Sequence, residues 1–260
     1  MSKVIDVCNY LLSKYPLDLA SSFDFGKVGL QFGNKSKHVS KVLITLDATT
    51  EVLKEAISLN VDMIITHHPF LFSPILNLDY QSPLGEKMIL VLQNELNIFS
   101  MHTNYDVAKG GMNEILANML GLKDVYSVPE IPTAESYMRI GLLDNTTLKD
   151  LALKVKTTFN EQNIRVVGNL DKKIKKVAVL GGSGGNYAIA AKKLGCDCII
   201  TGEVKHNNAI DAIDYNIGVI EVSHSIEAYF KQFLKVDLEE EFKDIEFTIS
   251  CKDVNPFKVI

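Results

Sequence analysis

An α/β fold of two similar lobes is predicted from the sequence by three observations. First, Lys41 to Thr66 reads as strand, helix, strand: Val42-Leu43-Ile44-Thr45-Leu46, the helical stretch Thr50 to Leu59, and Met63-Ile64-Ile65-Thr66. Second, the chain slid against itself repeats that unit without a gap, Lys41–Thr66 on Lys176–Thr201, with eight identities in 26 positions, three of them consecutive at the strand end. Third, each copy runs through a second helix into another apolar run that ends in polar residues, Asn97 to Asp106 in one and Gly218 to Glu227 in the other. An internal duplication of this kind predicts two similar sheets facing one another, with a site at their strand ends.

In chain order, Val4, Ile5, Cys8, Leu11 and Leu12 recur at helical spacing, so an amphipathic helix opens the chain and closes at Tyr15-Pro16. Phe23 to Gly33 carries three glycines and reads as a turn-rich segment near the sheet edge, in which Asp24 and Gln31 are site residues or, on the favoured reading, turn caps. Residues 127–172 change character between the repeats. Tyr137 to Leu143 reads as strand, Thr147 to Asp150 has capping-box form, Leu148 to Phe159 is helical and Ile164 to Val167 is a short strand. This is an inserted β-α-β segment that covers one end of the sheet or makes a subunit contact. A helix to about Phe242 and a strand at Ile245 to Ser250 close the chain, the run Glu239-Glu240-Glu241 being a solvated helix face. The expected division is a first lobe at 1–126, the insertion at 127–172 and a second lobe at 173–260, packed as one unit.

The totals restrict the function classes. With 260 residues, 47% of them hydrophobic, and a mean hydropathy of +0.09, the chain buries a core without staples. A formal charge of −5 supplies no field to attract a nucleic-acid backbone. The four cysteines lack C-x-x-C spacing and read as reduced thiols. No apolar run approaches the about 18 residues of a membrane helix, and the first residues lack the form of a signal peptide. A soluble, cytoplasmic protein is expected.

The chemistry centres on Asp62-Met63-Ile64-Ile65-Thr66-His67-His68-Pro69, a short strand stopped by proline with two histidines at its carboxyl end. Consecutive residues of an extended chain point to opposite sides, so His67 and His68 suit two ions better than one. Taken alone, the pair is better read as one core and one exposed histidine, since a metal needs nearby carboxylates or further imidazoles. Asp106, His224 and Glu227 supply what the pair lacks. His224 and Glu227, spaced i, i+3, share one face of a helical turn if Ser223 caps it. Three imidazoles and two carboxylates suit Zn, Fe, Mn, Co or Ni and do not suit Ca or Cu(I). Five ligands hold two divalent ions when a carboxylate bridges them, and a pair about 3.5–4 Å apart activates water for hydrolysis. His102 is a sixth ligand, an outer-shell partner or a proton carrier, the last two being preferred. Asp47 approaches a metal or, preferably, caps the helix at Thr49-Thr50. The run Gly181 to Gly185, including Gly182, Ser183 and Gly184, cradles an anion such as phosphate or is a structural turn. Glu203, Lys205 and His206 face an anionic ligand or form a surface ion pair.

These motifs together, Asp62 to Phe70, His102-Thr103-Asn104-Tyr105-Asp106, Gly181 to Gly184, Thr201-Gly202-Glu203 with Lys205-His206, and His224-Ser225-Ile226-Glu227, resemble in order the dinuclear metal center family. Its bacterial members are labelled GTP cyclohydrolase I type 2 homologues, and its eukaryotic ones are named after a yeast transcription-factor interaction. The resemblance covers essentially the whole chain. It implies His67, His68, Asp106, His224 and Glu227 as metal ligands, and a toroidal homohexamer, a trimer of dimers, with metal sites facing an internal cavity. Ser223 stands where a glycine is usual, and Asn207 where a second histidine is common.

Two functions are expected of such a chain. One is a metal-dependent hydrolase acting on a nucleotide or related heterocycle, with GTP ring opening as the activity the resemblance suggests. Base-stacking residues for a purine are not evident in the sequence, which has no tryptophan and only scattered tyrosines. The alternative is a non-catalytic metal-binding ring or scaffold that engages other proteins or nucleic acid, which the acidic charge disfavours for nucleic acid.

Overall fold

The apolar runs of the sequence become strands buried on both faces, as expected of parallel strands covered by helices. The computed structural model describes residues 1–128, 137–253 and 255–260, and contacts divide these into two units. One comprises Met1–Ala108 with Ala228–Pro256, the other Lys109–Glu227 with Phe257–Ile260.

The first unit contains α1 (Val4–Lys14), β1 (Gly29–Phe32), β2 (Lys41–Thr45), α2 (Thr50–Ser58), β3 (Met63–Thr66), α3 (Pro83–Gln93), β4 (Asn97–Ser100) and α4 (Thr103–Val107). The second contains α5 (Met112–Met119), β5 (Lys123–Ser127), β6 (Arg139–Thr147), α6 (Leu148–Thr158), β7 (Arg165–Val167), β8 (Lys173–Ser183), α7 (Ala188–Lys193), β9 (Cys198–Gly202), α8 (His206–Asp214) and β10 (Gly218–Val222). The chain then gives α9 (Phe230–Glu241) and β11 (Glu246–Ile249) to the first unit. Its sheet has the order β1-β4-β3-β2-β11, parallel except for β1, and that of the second unit has the order β5-β6-β8-β9-β10-β7, in which β8, β9 and β10 are parallel.

The identities that align the two βαβ units are the residues that stitch each of them. Asp62 accepts from the backbone of Ser40 and Lys41, and Asp197 accepts from Lys175 and Lys176 in the same way. The ammonium of Lys41 reaches the Leu59 carbonyl, and that of Lys176 reaches Leu194. Each aspartate bond joins the starts of two neighbouring strands, and each lysine bond ties a strand start to the end of the helix that crosses it, reaching a carbonyl that has no intrahelical partner. Ala56 and Ile64 lie in the core of the first unit with Leu43 and Ile98, and Ala191 and Ile199 lie in that of the second with Ala178 and Val219. Truncating Ile64, fully buried, to alanine would cost about 2–5 kcal/mol.

Three expectations are corrected. Gly29–Phe32 is a strand antiparallel to β4, not only turn. The segment at 127–172 does not stand apart, for β6 pairs with β8 and β7 with β10, so its strands fill both edges of the parallel trio; residues 129–136 of it lie outside the described residues. The last strand joins the first sheet, with Phe247 level with Val42 at the open edge of β2, and does not extend a lobe at 173–260. An open strand edge must find a partner, and local sequence does not say which edge that is. No helix among the described residues is long and apolar enough to cross a membrane.

Candidate functional site

In the first unit the end of β3 sets the backbone of both histidines. The His67 amide donates to the Thr45 carbonyl at 3.3 Å and the His68 amide to Leu46 at 3.0 Å, so the parallel ladder continues one step beyond the strand. Pro69 then ends it, having no donor to give. His67 is fully buried against Phe230 and Tyr105, with ring centroids 5.8 and 6.3 Å away. Such a wall fixes the ring in a dry place.

His67, His68 and His102 each present a ring nitrogen within 4.8 Å of the others. The expectation that His67 and His68 point apart holds only for extended backbone, which ends at Thr66; their ring centroids are 5.2 Å apart. Asp106, on α4, brings Oδ1 to 3.6 Å from His67 Nε2. Among the described residues of the second unit, His224 Nε2 and Glu227 Oε2 are 3.0 Å apart. Both lie in a 3₁₀ turn, His224–Tyr229, where three residues complete a turn and i, i+3 side chains eclipse. Ser223 accepts from the Ser225 amide at 3.2 Å, as the capping expectation requires.

Three of these imidazoles are held in the same manner. His68 Nδ1 lies 2.8 Å from Asp47, His102 Nδ1 2.8 Å from Asp24, and His224 Nδ1 2.7 Å from Glu203. An ionised carboxylate only accepts, so Nδ1 carries the proton and Nε2 is turned outward as the donor atom. The His224 hydrogen bond holds the Glu203 carboxyl below the usual range against its burial. Burial pushes the Asp24 carboxyl up, and the bonds from His102 and Thr103 outweigh it, leaving it lowered.

Four sequence-based readings change here. Asp47 is not the helix cap, since Thr49 accepts from the Val52 amide, and Asp47 orients His68. Asp24 is buried beneath His102 rather than capping a turn. Glu203 orients His224 rather than facing an anion. The run Gly182-Ser183-Gly184 is not an open anion cradle. The Gly181 amide donates to Asn113 and the Gly184 amide to Gly202, while a Cβ on Gly182 would lie 2.6 Å from Glu227 Oε1. Its glycines make room for Glu227. Lys205 and His206 are exposed at the start of α8.

The donor set fits a divalent transition metal. Two ligands about 2.1 Å from one ion, at roughly tetrahedral to right angles, lie about 3.0–3.4 Å apart, close to the 3.0 Å of His224 and Glu227 and the 3.6 Å of His67 and Asp106. Imidazoles backed by carboxylates are the usual outer shell of such a site. Sequence reasoning singles out Asp24, Asp47 and Glu203 in other roles and misses that they orient imidazoles, although Asp47 has a signal. The β2–β3 register, Thr45 level with Thr66, carries forward to Asp47 level with His68.

A family model described as Duf34/NIF3 (NGG1p interacting factor 3) matches residues 2–256. Proteins named GTP cyclohydrolase 1 type 2 homolog from Clostridium acetobutylicum and Clostridium perfringens are 38% and 33% identical, over 85% and 99% of this chain and 84% and 100% of theirs. The crystal structure of a Bacillus cereus protein related to NIF3 matches with a TM-score of 0.91 at 26% identity, covering 100% of this chain and 99% of that one. Staphylococcus aureus protein SA1388 matches at 0.90 and 29%, with the same coverage.

Proposed function

The chain belongs to the Duf34/NIF3 family, and from that membership and the chemistry of its donors we propose a metal-dependent hydrolase acting on a nucleotide or related heterocycle. The observation that carries this reading is the triple repetition of carboxylate behind imidazole at His68, His102 and His224, each leaving Nε2 as donor. In this reading His67, His68, Asp106, His224 and Glu227 serve one dinuclear centre. Bound divalent ions supply Lewis acidity and lower the pKa of water. The chain's own residues do the rest. Asp47 and Glu203 hold their imidazoles to one tautomer, and the Phe230–Tyr105 wall keeps water from the far side of His67. His102, set by Asp24, is a proton carrier at Nε2, the arrangement in which a histidine takes a proton on one nitrogen while a carboxylate steadies the other.

The names of the Clostridium relatives support GTP as the first substrate to try. The test is release of formate or phosphate from GTP and a nucleotide panel by protein loaded with Zn, Fe, Mn, Co or Ni, beside His68→Ala. Turnover that survives the substitution removes the reading. Metal binding without turnover of any nucleotide favours a scaffold, the sense in which the family's interacting-factor name points. We further propose a homohexamer in the cytoplasm. A mass in solution other than six copies of the 28.9 kDa chain rejects that assembly.

A further inference from the structure

We infer that Phe23, Lys27 and Phe72 form a clamp for a planar aromatic ring that carries an anionic group, placed beside His102 in the first unit. The inference rests on the nucleotide reading above and assigns residues to it. Phe23 is 55% exposed and Phe72 53%, an unusual cost for two large apolar rings so close together. Both rings stand 6.2 Å from the His102 ring and nearly perpendicular to it. The Lys27 ammonium lies over both, 4.0 Å from the centroid of Phe72 and 5.5 Å from that of Phe23. Two exposed aromatic faces and one cation thus gather at the rim of the histidine cluster, drawn from stretches some 45 residues apart in sequence.

Both arms are anchored, which separates them from ordinary surface side chains. Phe23 and Lys27 flank a turn in which the Lys27 amide donates to the Asp24 carbonyl at 2.8 Å, and Gly26, at φ +76°, closes it. The carboxylate of that same Asp24 holds His102. The residue before Phe72 is bound at both ends, since the Leu71 amide donates to Gln31 Oε1 and the Leu71 carbonyl accepts from Gln31 Nε2. Gln31 lies on β1 and accepts from Ser100 of β4. The placement of the clamp is therefore fixed by the sheet and by the residue that orients His102.

The chemistry of the three side chains selects the ligand. Phenylalanine rings accept a base on their π-faces whatever its hydrogen-bonding edge, and lysine offers a compact, mobile charge for phosphate or carboxylate. In the free protein the rings hold that ammonium by cation–π attraction, which an anion replaces with a stronger contact. A neutral ring would use only the phenylalanines and an aliphatic anion only the lysine. A ligand with both features uses all three, and a nucleoside phosphate is such a ligand.

The full chain is titrated with GTP, guanosine and tripolyphosphate, as wild type and as Phe23→Ala, Phe72→Ala and Lys27→Gln. Each phenylalanine substitution is expected to weaken GTP and guanosine by about 5- to 150-fold and to leave tripolyphosphate unchanged. Lys27→Gln should weaken GTP and tripolyphosphate and spare guanosine. GTP affinity unmoved by both phenylalanine substitutions overturns the clamp, as does an equal loss for all three probes. The two readings fail separately. Phenylalanine-dependent GTP binding without turnover keeps the clamp and ends the hydrolase, whereas turnover with an unchanged KM in Phe72→Ala and Phe23→Ala does the reverse.

Discussion

Gly182→Ala tests the second unit's donor pair through a residue that donates nothing itself. Gly182 sits at φ +63°, where an L side chain costs about 1–2 kcal/mol. A Cβ there would stand 2.6 Å from Glu227 Oε1, so the carboxylate must retreat by about 0.8 Å to reach the 3.4 Å at which ordinary contact begins. Glu227 is nearly buried and its Oε2 is 3.0 Å from His224 Nε2, so that retreat opens the donor pair. Gly110 supplies the control. It has φ +72°, and a Cβ on it would meet nothing within 4 Å, so Gly110→Ala carries the backbone penalty without the collision. Both variants should lose about 2–8 °C in the unfolding midpoint with chelator present. Only Gly182→Ala should also lose metal affinity, by about 10–100-fold, the usual effect of disturbing a ligand's surroundings. The assay is competition for zinc with a chromophoric chelator. Wild-type affinity in Gly182→Ala, or an equal loss in Gly110→Ala, refutes the reasoning.

Asp47→Asn and Glu203→Gln should each weaken zinc binding about 10–100-fold in the same competition while leaving the chelator-treated midpoint near wild type, because both carboxylates are about half exposed. His102→Ala should keep the wild-type metal content and lose about 10²–10⁴-fold in turnover if the residue carries a proton; lost metal instead makes it a ligand. Away from the site, Glu55 accepts from Ser250 and from Cys251, and these bonds outweigh burial to hold its carboxyl below the usual value. A lowered carboxyl favours the folded state above the unfolded pKa of about 4.3 and loses that contribution as pH falls through the folded value. The protection of the Cys251 amide, its exchange rate set against the intrinsic rate at the same pH, should therefore fall on acidification below about pH 4.3 in the wild type, and be reduced already at neutral pH in Glu55→Gln.

Much of this fold is legible from spacing. The βαβ repeat appears because the residues it preserves, Lys41 and Lys176, Asp62 and Asp197, make bonds on which the strand–helix crossing depends. The candidate donors are legible only as a set: the histidine pair after the strand reads by itself as structural, and Asp106, His224 and Glu227, each following another apolar run, are what point to a metal. Residues whose role depends on a neighbour distant in sequence are less legible. Asp24 meets His102 across 78 residues, and β11 meets β2 across some 200. Phe23 and Phe72 escape notice for another reason: tryptophan and tyrosine are the expected stacking residues, yet a ring that lacks a polar handle stacks as well.

The two βαβ units share a parallel strand pairing and differ in the candidate donors that follow it, and the glycines explain how. The alignment that sets Thr66 on Thr201 sets His67 on Gly202 and His68 on Glu203. No histidine can stand at 202, where a Cβ would lie 2.4 Å from the Gly182 carbonyl oxygen. β8 runs on through Gly181 and Gly182 with a register shift between Leu180 and Ser183, whereas β2, its counterpart in the alignment, ends at Thr45. The second repeat must take its imidazole from the end of the next strand, at His224, and Glu203, at φ +51°, turns to orient it. What both repeats retain is the carboxylate. Asp106 lies six residues past Ser100, the partner of Thr66, and Glu227 six past Glu221, the partner of Thr201. An acid held at the same step from the same strand pair, while the imidazoles move, is what a shared fold yields when the sheet fixes the carboxylate and the local loops decide which side chains join it.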